Sequence, residues 1–208
     1  MRRLAVHPVN PQARHIADTA AELRAGALII CPTDTTYVLG CDMFAKQGQD
    51  RLYALKSKPK EEPLSFLCAD LSELARYAVV NNRNYRLLRH HLPGKFTFIL
   101  PATKEVPRAL RSKSGTIGLR IPENPTCIAL LHAMGHPLTI TTVTRAPEDK
   151  TAHLNDPDEI QRVFGNNVEV FLDQGVLTGS PSTVVDLCGD EPRIVRPGSG
   201  DMSWLPAP

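Results

Sequence analysis

Along this chain, short apolar runs closed by turn residues alternate with segments of helical period, and few architectures accept that alternation. A first helix is expected over 11–25, with Ile16, Ala20 and Leu23 at helical spacing, Asn10 as its cap and Gly26 as its stop. Further helices are expected over 49–56, 81–91, 125–134 and 156–164, the last capped by Asn155 or Asp156. Strand signals cover 27–31, 64–68, 96–100, 116–121, 138–143, 168–172, 183–187 and 193–196. Strands outnumber helices, and several follow one another directly. That predicts an α/β fold on a twisted sheet of parallel and antiparallel strands, not a pure doubly wound one. No linker, repeat or low-complexity tract divides the chain, so residues 1–208 read as one domain with a frayed tail over 203–208. A chain this long buries roughly 70% of its unfolded surface and needs no disulfide or metal staple.

Several function classes fall away. The longest apolar runs, 27–31 and 66–69, are far shorter than the ~20 residues of a membrane span. Arg2 and Arg3 precede no apolar segment, so no signal peptide is expected. Cys31, Cys41, Cys68, Cys127 and Cys188 form no CxxC pair and are odd in number; reduced thiols of a cytoplasmic protein are the expectation. The sequence holds no GxxxxGK[ST], GxGxxG, HExxH or GxSxG. His132 and His136 stand four apart, but Gly135 and Pro137 interrupt a shared helix face, so they read as structural and no protein-bound metal is expected.

Charge is distributed unevenly. Residues 1–80 are net +1, residues 81–122 net +8 and residues 123–208 net −7, which sums to the chain's +2. A segregated positive face concentrates anions such as phosphates, nucleotides or RNA. Arg83, Arg86 and Arg89 fall on one face of the helix over 81–91, a pattern more often solubilising than RNA-binding. Arg120 lies between Leu119 and Ile121 in a central strand. A buried arginine must be paired, so a ligand carboxylate, a phosphate or an internal acid is expected beside it. Pro32-Thr33-Asp34-Thr35 reads as a tight turn or as part of a site. Lys56, Lys58 and Lys60 with Glu61 and Glu62 read equally well as a solvated loop.

Five segments in register carry a resemblance. Cys31-Pro32-Thr33-Asp34-Thr35-Thr36-Tyr37-Val38-Leu39-Gly40 is similar to the opening signature of the YrdC-like threonylcarbamoyl-AMP synthase family. Pro93-Gly94 with Thr97 and Ile99-Leu100, Thr116 with Arg120 and Pro122, Pro181-Ser182-Thr183-Val184-Val185-Asp186, and Ile194 with Arg196 and Gly198 resemble its later strands in the same order. His7, Pro8, Asn10, Pro11 and Gln12 resemble the YciO-like branch, as does the run Thr103-Lys104-Glu105-Val106-Pro107-Arg108. The resemblance implies a twisted α/β sheet around a positively charged concave cavity. It further implies an enzyme condensing L-threonine, bicarbonate and ATP into threonylcarbamoyl-AMP and pyrophosphate for a tRNA adenosine. Mg²⁺ would arrive with the nucleotide. Double-stranded RNA or tRNA is a further implied partner.

Carried onto this sequence, the family's pattern sets Thr33, Thr35 and Tyr37 around threonine, with Ser182 and Arg120 as further contacts, Arg120 at its carboxylate. Lys56 and Lys58 fall on the family's Lys-x-Arg, Thr142 and Thr144 on its Ser-x-Asn, and Thr116 and Arg196 face the nucleotide. Adenylation suits these types: cations neutralise phosphate, hydroxyls orient, and a guanidinium fork fits a carboxylate. Three departures matter. Lys58 turns a planar clamp into a point charge, Thr144 lacks an amide donor, and Val38 stands where the family has glycine. Each lost charge-assisted contact costs on the order of 2–4 kcal/mol in a transition state, so a weak or altered activity is implied.

Overall fold

The computed structural model describes residues 1–57, 64–145 and 153–205. Its elements run β1 (Arg2–Ala5), α1 (Ala13–Arg24), β2 (Ile29–Cys31), β3 (Val38–Asp42), α2 (Lys46–Leu55), β4 (Ser65–Leu67), α3 (Leu71–Tyr77) and α4 (Asn82–His91). They continue with β5 (Phe96–Pro101), a 3-10 turn over Arg108–Leu110, β6 (Thr116–Arg120), α5 (Pro125–Met134), β7 (Leu138–Thr142), α6 (Pro157–Phe164), β8 (Val170–Asp173), β9 (Thr183–Asp186) and β10 (Arg193–Arg196). One mixed sheet joins the described strands in the order β1-β8-β2-β3-β7-β4-β6-β5-β9-β10. The pairs β1/β8, β2/β8, β4/β6 and β5/β9 are parallel and the rest antiparallel.

Local chemistry sets most helix ends. Asn124 accepts from the amides of Thr126 and Cys127, Pro125 occupies the first turn of α5, and Gly135 ends it at φ 73°, so His136 lies off the helix. Asp156 accepts from the Asp158 and Glu159 amides ahead of Pro157 in α6. The expected cap Asn10 has no such role: α1 begins at Ala13 after Gln12, and the His7 ring accepts the amides of Val9 and Asn10 in a separate turn. Three elements lie outside the sequence expectation: β1, β3 and α3. The last carries a readable capping box, in which Asp70 accepts from the Glu73 amide while the Glu73 carboxylate accepts from the Ala69 amide.

Alternation along the strands sorts side chains between the two faces. Ile29, Cys31, Val38, Leu67, Ile140, Val170 and Leu172 share a face with α1 and α5. Leu28, Ile30, Tyr37, Leu39 and Phe171 point the other way, under α2 and α6. Phe66, Phe98, Ile117 and Leu119 continue that second face beneath α3 and α4. Helices therefore cover the second face along its length, whereas α1 and α5 cover only part of the first. Over β6, β5 and β9, and over the parts of β7 and β4 that α1 and α5 do not reach, the first face stays open. Among the described residues, no helix is long and apolar enough to cross a membrane.

Leu119 sits in register between Phe98 and Phe66, and all three are fully buried. Leu119→Ala is expected to lower unfolding free energy by about 2–5 kcal/mol, read as a drop in the urea midpoint at unchanged slope.

Candidate functional site

The open sheet face forms a hollow of about 120 Å³. Its floor and walls come from consecutive strands: Thr36 and Val38 at β3, Ile140 and Thr142 on β7, Ser65 on β4, Arg120 on β6, Thr97 on β5, Ser182 and Val184 at β9, and Arg196 on β10. Hydroxyls and guanidiniums dominate the β4–β10 side. Gly118 keeps the floor low, since a Cβ there would come within 3.0 Å of Ser65 Oγ and 3.3 Å of Thr97 Cγ2.

The turn after β2 shapes one wall. Thr33 Oγ1 donates to Thr36 O at 2.6 Å and accepts the amides of Thr35 and Thr36 at 3.1 and 3.2 Å. This is a side-chain-locked turn, the form that Pro-Thr-Asp-Thr favours. It aims Asp34 and Thr35 at Arg120. Arg120 Nη2 donates to Asp34 Oδ1 at 2.7 Å, Nη1 donates to Thr35 Oγ1 at 2.7 Å, and Nε donates to Gly94 O at 3.3 Å. Both partners are buried, Arg120 at 3% and Asp34 at 8% side-chain exposure. Burial lowers the Arg120 pKa and the Asp34 charge works against that shift. Of the partners open to Arg120 in the sequence, the internal acid is present. An open basin lies beside it all the same.

Arg196 differs. Its Nη2 donates to Ser182 O at 2.8 Å, and no described carboxylate lies within ion-pair distance of it. Its pKa is lowered, first by desolvation and then by the positive charge of Arg120. Two cations thus repel each other across the hollow, and one lacks an acid. Ser182 Oγ and Thr97 Oγ1 share a hydrogen bond of 2.8 Å beneath them. Beside β7, Lys56, 7% exposed just after α2, donates from Nζ to Thr142 O at 3.2 Å and to Thr144 Oγ1. Lys56 is thus one contact removed from the hollow, whose own lining cations are Arg120 and Arg196.

The structure gathers Arg120, Thr142, Ser182 and Arg196 at the hollow, with Thr35, Thr144 and Lys56 one contact away. Tyr37 is elsewhere: it lies on the second face, where its hydroxyl donates to Gly175 O at 2.7 Å and accepts the Gln174 amide at 2.9 Å. Its alternation partners Thr36 and Val38 line the hollow instead. Thr33 spends its hydroxyl inside the turn. Thr116, four residues before Arg120, hydrogen-bonds Ser112 at 2.7 Å and does not line the hollow. Lys58 lies outside the described residues. Sequence reasoning missed Asp34 as the acid of Arg120, and missed Thr36, Ser65 and Thr97. Strand parity with Val38, Gly118 and Arg120 could have found the last three.

A larger groove of about 710 Å³ opens beyond the carboxyl ends of β4 and β6, walled by Leu71, Leu92, Pro93, Ile121, Pro122 and Ile128. Among the described residues no cation lines it, and Asp70 and Glu123 stand at its rim. Its charge has the wrong sign for a phosphate or a carboxylate, so size does not make it the anion site.

Comparisons with known proteins agree with this fold. The Sua5/YciO/YrdC family model, described as Telomere recombination, matches residues 21–198. An uncharacterized protein of Haemophilus influenzae is 44% identical over 199 residues, spanning 95% of this chain and 96% of its own. YciO of Escherichia coli, also uncharacterized, is 40% identical over 198 residues and 95% of each chain. Its crystal structure superposes with a TM-score of 0.92 over 97% of this chain and 98% of its own. A threonylcarbamoyl-AMP synthase of Halorhodospira halophila is 30% identical over 161 residues, 76% of this chain and 81% of its own. The Pyrococcus abyssi Sua5 structure complexed with L-threonine, 24% identical, shares the fold with a TM-score of 0.84 over 95% of this chain and 58% of that one.

Asp34→Asn keeps the shape of the turn and leaves the Arg120 guanidinium buried without its counter-charge. A loss of about 3–5 kcal/mol is expected in chemical denaturation. The double variant Asp34→Asn/Arg120→Gln should recover part of it, and an Asp34→Asn protein as stable as the parent would show that the pair does not hold the turn.

Proposed function

Because the chain belongs to the Sua5/YciO/YrdC family, we propose that its hollow activates a small amino acid with ATP. In this reading it binds L-threonine, bicarbonate and ATP carrying Mg²⁺, and forms threonylcarbamoyl-AMP and pyrophosphate. The observation that carries the reading is Arg196, a guanidinium facing a second one across a hydroxyl-lined hollow without a described acid of its own. Such a cation favours a ligand that brings negative charge. The L-threonine held by the Pyrococcus abyssi relative and the synthase name of the Halorhodospira relative support the choice of substrates.

The chemistry follows from charge. The threonine amine and bicarbonate combine to a carbamate with release of water. A carbamate oxygen then attacks the α-phosphorus and pyrophosphate departs. Arg196 and Lys56 neutralise phosphate and carbamate charge, while Ser182 and Thr97 orient the acid by hydrogen bonds. Arg120, already bound to Asp34, adds direction more than net charge. Thr144 is engaged by Lys56 and brings no amide donor, so turnover is low.

A second reading has its own observation. Arg83, Arg86 and Arg89 are exposed along α4, and none has a described carboxylate within ion-pair distance. A duplex RNA or tRNA backbone would neutralise them. Three phosphate contacts would weaken RNA binding ~40-fold between 50 and 200 mM salt. Filter binding across that range checks this, and a flat or absent response removes the RNA reading.

For the synthase reading, pyrophosphate release with ATP, Mg²⁺ and bicarbonate is measured across a panel of amino acids. Threonine should give the signal, and Arg196→Ala should lower it by roughly 10²–10³-fold at an unchanged melting temperature. No release with any amino acid, together with no thermal shift from ATP and threonine, would overturn it.

A further inference from the structure

The hollow has an apolar wall that the charge argument leaves unused. Val38 and Ile140 project into it from β3 and β7. They are 3% and 8% exposed, and both also pack into the core that α1 and α5 cover, so neither can swing aside freely. Val38 pairs across the ladder with Thr142, whose carbonyl receives Lys56 Nζ at 3.2 Å. The wall therefore bounds the same hollow as Ser182 and Arg196, where an aliphatic substituent of a bound acid would meet it. Val38 is β-branched and has one strongly preferred side-chain orientation on a strand, which makes the wall stiff as well as apolar.

We propose that the Val38–Ile140 wall sets the upper size limit on the side chain of the amino acid that this protein accepts. The proposal rests on the amino-acid reading above and deepens it. The polar side of the hollow recognises what all amino acids share, namely a carboxylate. It cannot separate glycine, serine and threonine from larger homologues. The wall can, because added methylenes collide with buried methyls that have nowhere to go. Val38 and Ile140 are specificity-determining residues in this account and take no part in bond making.

Two truncations and one isostere test the wall. Val38→Ala and Ile140→Ala each open space on the same side, while Val38→Thr keeps the branched volume. Binding of glycine, L-serine, L-threonine, L-valine and L-leucine to the full chain is measured by calorimetry, with pyrophosphate as an anion control. The parent should bind the small acids and exclude L-leucine. Each truncation should improve L-leucine relative to L-threonine by roughly 10- to 100-fold, the range that a methylene or two commands in an apolar pocket. Val38→Thr should keep the parent's ranking. Pyrophosphate binding should be unchanged throughout, which certifies that each variant is folded with its cations in place. If the parent binds amino acids and both truncations rank them as the parent does, the size limit is set elsewhere and this inference falls while the synthase reading stands. If the parent binds none of the amino acids, both fall together.

Discussion

The buried pair between Arg120 and Asp34 is the interaction on which the site depends. It ties the turn after β2 to the end of β6, and through the Gly94 carbonyl it also holds the approach to β5. Those three segments are distant in sequence, and the pair adds a side-chain tie to the Gly94 amide bond to Ile121 O and the Thr33 lock. A buried ion pair repays its desolvation only when the geometry is good and the remaining donors are met. Here Thr35 and Gly94 meet two of them. The locked hydroxyl of Thr33 gives the turn its shape, and the close approach of Gly179, where a Cβ would lie 2.0 Å from Thr35 O, backs it from behind.

That pairing also redistributes charge. A reading from residue types alone makes Arg120 the main anchor of an incoming anion. Its neutralisation by Asp34 leaves Arg196 as the lining cation without a described acid, with Lys56 one contact away from the hollow. The polar floor comes from Ser65, Thr97 and Ser182, short side chains that stay clear of the space. The larger apolar groove near Pro93 and Ile121 shows the converse: ample room without the charge to recruit an anion.

Much of the architecture was legible because its signals are local. The cap and proline of α5 and α6, and the uninterrupted Phe96–Pro101 run, mark their elements by chemistry that acts within a few residues. The mixed sheet followed from strands that succeed one another without a helix. What escaped depends on partners far along the chain. β1 is an exposed edge whose only reason to be a strand is its parallel neighbour β8. β3 was hidden inside a segment read for its motif. Within the site, Arg120, Ser182 and Arg196 can be named from the resemblance, but the acid of Arg120 is Asp34, between Thr33 and Thr35, and only the fold pairs the two. Tyr37 was assigned to the cavity although one step of strand alternation sends it to the opposite face.

The strand order has a consequence for how the molecule is made. β9 lies beside β5, pairing Thr183 with Phe96, and β10 can dock only once β9 is in place. The β5/β9 contacts that help finish the hollow thus join segments far apart in the chain, and loop closure of that length is slow. Ser182 and Arg196 follow every described helix in the order of synthesis. A truncated or stalled product can be extensively collapsed and still be wholly incompetent, which makes ligand capture a late certificate of complete maturation.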